Sequence, residues 1–158
     1  MQLRYLMTVA LLGTTLVAAP VKAENPAHVK KLLETYECPV CDLSGADLTG
    51  AHLVGADLRN ANLQGATLVD ANLEGADLAG ANLKGANLTG AFVNSTSLIG
   101  ANLTDVNFSE ATLYSADVTH AIMSDITLTD ADVFNTAISV GGEYPEPEST
   151  DEPWNVDF

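Results

Sequence analysis

Few residues in this 158-residue chain have the chemistry of an active site, and they are widely spread. Cys38 and Cys41 form a Cys-x-x-Cys pair, a spacing open to dithiol redox chemistry, zinc ligation, free thiols or a structural disulfide. A thioredoxin-like pair sets its first cysteine at a helix N-terminus, where the helix dipole lowers the thiol pKa. Zinc asks for two further ligands, and the chain has no second Cys-x-x-Cys and no Cys-x-x-His. Asp105 with Asp125, and Glu110 with Asp130, are carboxylates spaced by twenty residues. They are the candidate set for a divalent cation, because hard cations take clustered carboxylate oxygens. His28, His52 and His120 lie far apart and suggest no Ser-His-Asp arrangement. Asn94-Ser95-Thr96 matches a glycosylation sequon, although the alternation of Asn and Thr in this chain generates such matches freely. We therefore expect no enzyme and no cofactor.

The elements that must position these groups begin with an apolar leader. Residues 1–23 have a cationic start at Arg4, an apolar run to Val17, and Val21 and Ala23 before the expected cleavage point. That is the pattern of a secretory signal peptide, too short to span a membrane comfortably. No cysteine directly follows Ala23 to accept a lipid, so no membrane association is expected after cleavage. The mature chain of about 135 residues has the length of one domain. It keeps Lys30, Lys31, Arg59 and Lys84 against all 21 acidic residues. Nucleic-acid phosphates and anionic membranes would repel it; cations or basic protein surfaces would not.

Between Cys41 and Val140 the chain runs as 20 pentads in one register. Leu43, Leu48, Leu53 and Leu58 begin a series whose central residue is always Leu, Phe, Val, Ile or Met. Two positions earlier stands a small residue, as at Ala46, Ala51, Ala56 and Ala61. A period of five suits neither helix nor strand. It suits a chain that turns a corner every five residues with two positions inward and three outward. Four sides then make a square coil of about 20 residues, and coils stack at roughly the 4.8 Å inter-strand spacing. Nine of the first twelve pentads end in Gly and none of the last eight does. Gly fits a corner that needs a positive φ, so the last two coils are expected to turn differently and to be less regular. The recurring Gly residues read as corners rather than as a phosphate loop.

The register of `ADLTG`, `ADLRN`, `ANLQG`, `ANLEG`, `ADLAG`, `ANLKG` and `ANLTG` resembles the pentapeptide-repeat family. That resemblance implies an all-β solenoid, a right-handed quadrilateral β-helix, here of about five coils with a short N-terminal capping α-helix. The segment `LLETYECPVCDLSGADL` is similar to the junction of exported members from photosynthetic cells, which implies the periplasm or the thylakoid lumen. Some members of the family are cytosolic DNA mimics that bind type II topoisomerases. Acidic charge agrees with that alternative, whereas the leader and the cysteine pair oppose it.

Four segments follow: leader 1–23, capping helix and cysteine junction 24–40, β-helix 41–140 and an acidic, Pro-rich tail 141–158. In the second, Asn25 is a candidate N-cap and Pro26 a first helical residue. Val29, Leu32, Leu33 and Tyr36 have the spacing of an amphipathic face lying over the first coil. Cys38 then falls at the end of that helix and Cys41 at the first small inward position, which favours a structural disulfide. The tail has six acidic residues and no Lys or Arg; Trp154 and Phe158 are candidates to cover the final coil. On the surface, Asp57 stacks near Asp77. Phe92, Tyr114 and Phe134 share one side, with Tyr114 and Phe134 one coil apart, as either a protein-binding patch or a seat for the tail. The expected function is an exported, non-catalytic structural or protein-interaction scaffold, with a divalent-cation binder as the second alternative. It would be a monomer, or a dimer formed through the C-terminal coil.

Overall fold

The computed structural model describes residues 25–138; the leader and the tail, with Trp154 and Phe158, lie outside the described residues. The chain opens with α1 (Pro26–Thr35). Its first turn has free backbone donors, and the Asn25 side chain accepts from Ala27 N–H at 3.1 Å and His28 N–H at 3.4 Å. Pro26 costs nothing there because its missing N–H would have had no helical partner. Tyr36 ends the helix in the left-handed conformation, with φ 58° and its N–H on the Leu32 carbonyl. Of the four apolar residues expected inward, Leu32 is fully buried and Val29 packs on the core, whereas Leu33 and Tyr36 are about half exposed. Tyr36 has already left the helix, so helical spacing no longer aims it.

From Glu37 to Phe134 the backbone pairs with itself in parallel at a constant offset of 20 residues, from Glu37 with Asp57 to Tyr114 with Phe134. Four pentads therefore make one turn. Among the described residues only β1 (Thr112–Tyr114) and β2 (Asp132–Phe134) reach strand length. The pentad accounts for all five of its N–H groups, as a buried backbone must. In the pentad beginning at Ala46, the Ala46 N–H closes the corner onto the Leu43 carbonyl at 3.0 Å. Leu48 and Gly50 donate to the coil that follows, at Thr67 and Val69. The second residue donates to the coil before, as Asn62 does to Cys41 at 2.8 Å. The fourth N–H is taken by the second residue's own side chain, as in Thr49 N–H to Asp47 Oδ1 at 3.1 Å. This is the physical reason for Asp or Asn at the second position, where an Asx turn is formed.

The corners correct one expectation. Asp105, Glu110, Ser115, His120, Asp125, Asp130 and Asn135 all have φ between 51° and 60°, close to the 64° to 68° of the Gly corners. The last coils turn as the others do: Asp105, Glu110 and Ser115 are held by N–H bonds to the following coil, at Ser124, Thr129 and Phe134, and the later corners keep the same backbone. The non-Gly residues accept the left-handed region at a cost of roughly 1–2 kcal/mol each. What changes toward the end is burial. Apart from Ala51, interior positions are almost fully buried from Leu43 to Leu113, but Met123, Ile126, Leu128 and Ile138 are only partly buried and Val133 is 38% exposed. At the other end α1 covers the first coil, where Leu43, Leu48 and Leu53 are no more than 2% exposed.

Candidate functional site

Cys38 and Cys41 are joined as a disulfide with Cα atoms 5.3 Å apart, and both are buried. Cys38 takes a central inward position, and its N–H donates to Asp57 O at 2.8 Å. The ladder thus starts at Glu37, four residues ahead of the boundary drawn at Cys41 from sequence. The pair lies beyond the C-terminal end of α1, where a helix dipole offers no help to a thiolate. His28, which sequence reasoning left without a role, ties α1 to this junction. Its Nδ1 accepts from Asp42 N–H at 3.0 Å, which places the ring proton on Nε2. Its carbonyl oxygen lies 3.4 Å from Cys38 Sγ, a contact rather than a hydrogen bond, since a disulfide sulfur carries no proton.

The four carboxylates proposed from sequence for a divalent cation are not brought together. Asp105 and Asp125 share one corner column and Glu110 and Asp130 the next, separated by a whole side of the coil. Among the described residues no three His, Cys, Asp or Glu side chains are grouped to hold a metal ion. Asp57 and Asp77 do stack, and a residue that sequence reasoning passed over relieves them. Arg59 donates from Nε to Asp57 Oδ1 at 2.9 Å and from Nη2 to Oδ2 at 2.7 Å, and lies 3.7 Å from Asp77 Oδ2. The guanidinium's hydrogen bonds hold the Asp57 carboxyl at about 2, below the usual range, and Asp57 in turn raises the arginine. An i,i+2 pair of opposite charge in the repeat was the available signal.

The three aromatic residues are on one side of the coil. Tyr114 and Phe134 meet edge to face with ring centroids 6.3 Å apart. Phe92 stands in the neighbouring column, paired through its backbone with Thr112. Phe92 is 46%, Tyr114 40% and Phe134 70% exposed. The Tyr114 hydroxyl donates to Asp132 Oδ2, which pushes its pKa above the ordinary phenol value. Thr112 cannot form the Asx turn at this pentad, so Tyr114 N–H goes instead to Asn94 Oδ1 in the coil before, at 3.0 Å. The cost falls on Thr112 Oγ1, which is buried without a partner.

His52 lies in the first coil and His120 on a late corner. His120 borders a cleft of about 540 Å³ with Ser115, Asp117, Thr119 and Asn135. Asp117 is occupied there, accepting from Thr119 Oγ1 at 2.6 Å and from its N–H at 3.0 Å, and these bonds lower its pKa.

A model of the family described as pentapeptide repeats matches eight copies, over residues 41–78, 56–94, 68–105 and 94–130. The chain belongs to the pentapeptide-repeat family. Solved structures similar to it include a pentapeptide-repeat protein from the thylakoid lumen of Arabidopsis thaliana, at 31% identity and a TM-score of 0.39. That match covers 59% of this chain and 61% of the other. The plasmid-mediated fluoroquinolone resistance protein QnrB1 is 23% identical with a TM-score of 0.51, over 61% of this chain and 50% of QnrB1, a likeness of fold alone. Rfr23 from the cyanobacterium Cyanothece 51142 is 23% identical with a TM-score of 0.39, over 70% of this chain and 92% of that one. This pentapeptide-repeat chain thus spans less than two thirds of the length of the first two. No curated protein matches it. Among the described residues no helix is long and apolar enough to cross a membrane.

Proposed function

We propose that this pentapeptide-repeat protein is an exported, non-catalytic scaffold, a right-handed quadrilateral β-helix whose outer columns present side chains to a protein partner. The observation that carries the reading is the constant 20-residue offset, which sets outward residues in columns over a buried core. The disulfide under α1 and the apolar leader support export to an oxidising compartment, periplasm or lumen. The histidines support no turnover reaction: His28 is held by Asp42, and His52 and His120 stand on different sides. Pull-down with the tagged mature protein from its native compartment tests the reading. Recovery of one stoichiometric protein supports it, and a chain that returns nothing from any soluble or membrane fraction opposes it.

The acidic surface favours one second reading, a DNA mimic that binds a type II topoisomerase. A supercoiling assay separates the two, since a scaffold of the exported kind leaves supercoiling unchanged.

A further inference from the structure

The side that carries Phe92, Tyr114 and Phe134 has a second property. The corner column that leads into it holds Glu110 and Asp130 one coil apart, both exposed, and Asp132 lies within it. No Lys or Arg follows Lys84 anywhere in the chain, so no cation of the C-terminal half offsets these acids.

We propose that this aromatic side with its acidic rim is a docking surface for a basic segment of a partner protein, one in which Arg or Lys alternates with apolar residues. The proposal rests on the scaffold reading and gives it a face and a partner chemistry. Exposed rings supply anchor area at low entropy cost and attract a cation over their faces. The carboxylates steer and orient the same cation. Asp132 holds the Tyr114 hydroxyl, and the Tyr114 ring meets Phe134 edge to face, so two anchors are preset before a partner arrives. Three other occupants carry the wrong charge. Nucleic acid and anionic lipid are repelled, and the chain's own residues 141–158 bring six more acids and no Lys or Arg.

The probe is a fluorescein-labelled synthetic peptide alternating Arg and Leu, titrated by anisotropy against the mature protein at physiological salt. Its counterpart has citrulline for every Arg. Phe134→Ser should weaken binding by about tenfold or more, while Phe134→Tyr retains it. Glu110→Gln with Asp130→Asn should weaken it several-fold and flatten its salt dependence. Asp105→Asn with Asp125→Asn, on the previous corner, should change it less than about twofold. Phe134 is largely exposed, so melting curves of these variants should match the parent. Equal loss from the Asp105 and Asp125 changes, equal binding of the citrulline peptide, or no effect of Phe134→Ser overturns the surface. The scaffold reading would still stand on its pull-down. A rise in affinity on Trp154→Ser with Phe158→Ser would make the tail the occupant and would also overturn the proposal.

Discussion

Asn60 stands one coil above Gly80, and its Oδ1 lies 2.5 Å from where a Gly80 Cβ would be. The same holds for Asp70 above Gly90, whereas the space beside Gly85 is open. At these two corners the polar side chain thus fills the space left by the missing side chain of the corner beneath it.

Gly80→Ala should therefore cost more stability than Gly85→Ala, although both residues have φ +68°. Each change incurs a left-handed penalty of about 1 kcal/mol or more. Only Gly80→Ala must also displace Asn60. In an Asn60→Gly background the difference should vanish, which chemical denaturation of the four variants measures as a coupling energy.

Leu73 is fully buried in mid-ladder and Val133 is 38% exposed in the last described coil. Leu73→Ala should cost about 2–5 kcal/mol and Val133→Ala clearly less. Equal costs in urea titrations would show that the final coil is as well covered as the middle.

The Asp57 carboxyl titrates at about 2 against an ordinary 3.8 because Arg59 binds its charged form. A folded pKa below the unfolded one stabilises the fold above the unfolded pKa. That contribution is lost as pH falls from about 4 toward 2. Asp57 is partly exposed and solvent screens the pair, so the effect should be modest. Arg59→Gln should flatten the acid limb of a melting-temperature profile between those pH values and leave it parallel to the parent above pH 5.

Mass spectrometry of the mature protein should show a gain of about 2 Da on reduction. The disulfide closes a very short loop, so Cys38→Ser with Cys41→Ser should cost about 2 kcal/mol by the loop-entropy estimate. No mass change on reduction would leave the junction held by packing of α1 and by the hydrogen bonds of His28 and Cys38.

The period of five, the inward Leu and Ala positions, the corner Gly and the Asn25 cap were all legible in the sequence, because each is a local requirement repeated or placed at an element's end. Asp105 and Glu110 were misread as signs of a different corner. Gly is the usual residue at positive φ, yet Asp tolerates it, and the N–H bonds of Asp105 to Ser124 and of Glu110 to Thr129 hold both corners in it. The cation site failed because a 20-residue spacing aligns Asp105 with Asp125 but keeps both a side away from Glu110. Arg59, His28 and Asn94 were hidden for another reason. His28 and Asn94 act at breaks in the pattern, where a side chain accepts an N–H that the backbone or an Asx turn takes elsewhere, and Arg59 adds an ion pair to a pentad whose Asx turn is intact.

The constant offset of 20 residues also makes this chain's length quantised. Removing one whole coil keeps every later residue on its own side and shortens the rod by one spacing. Removing a single pentad keeps the core pattern intact yet turns everything after it by a quarter turn. Phe134 would then lie on a different side from Phe92. Evolution or engineering can therefore change the reach of this protein in steps of one coil, and can rewire which residues face together by inserting or deleting five.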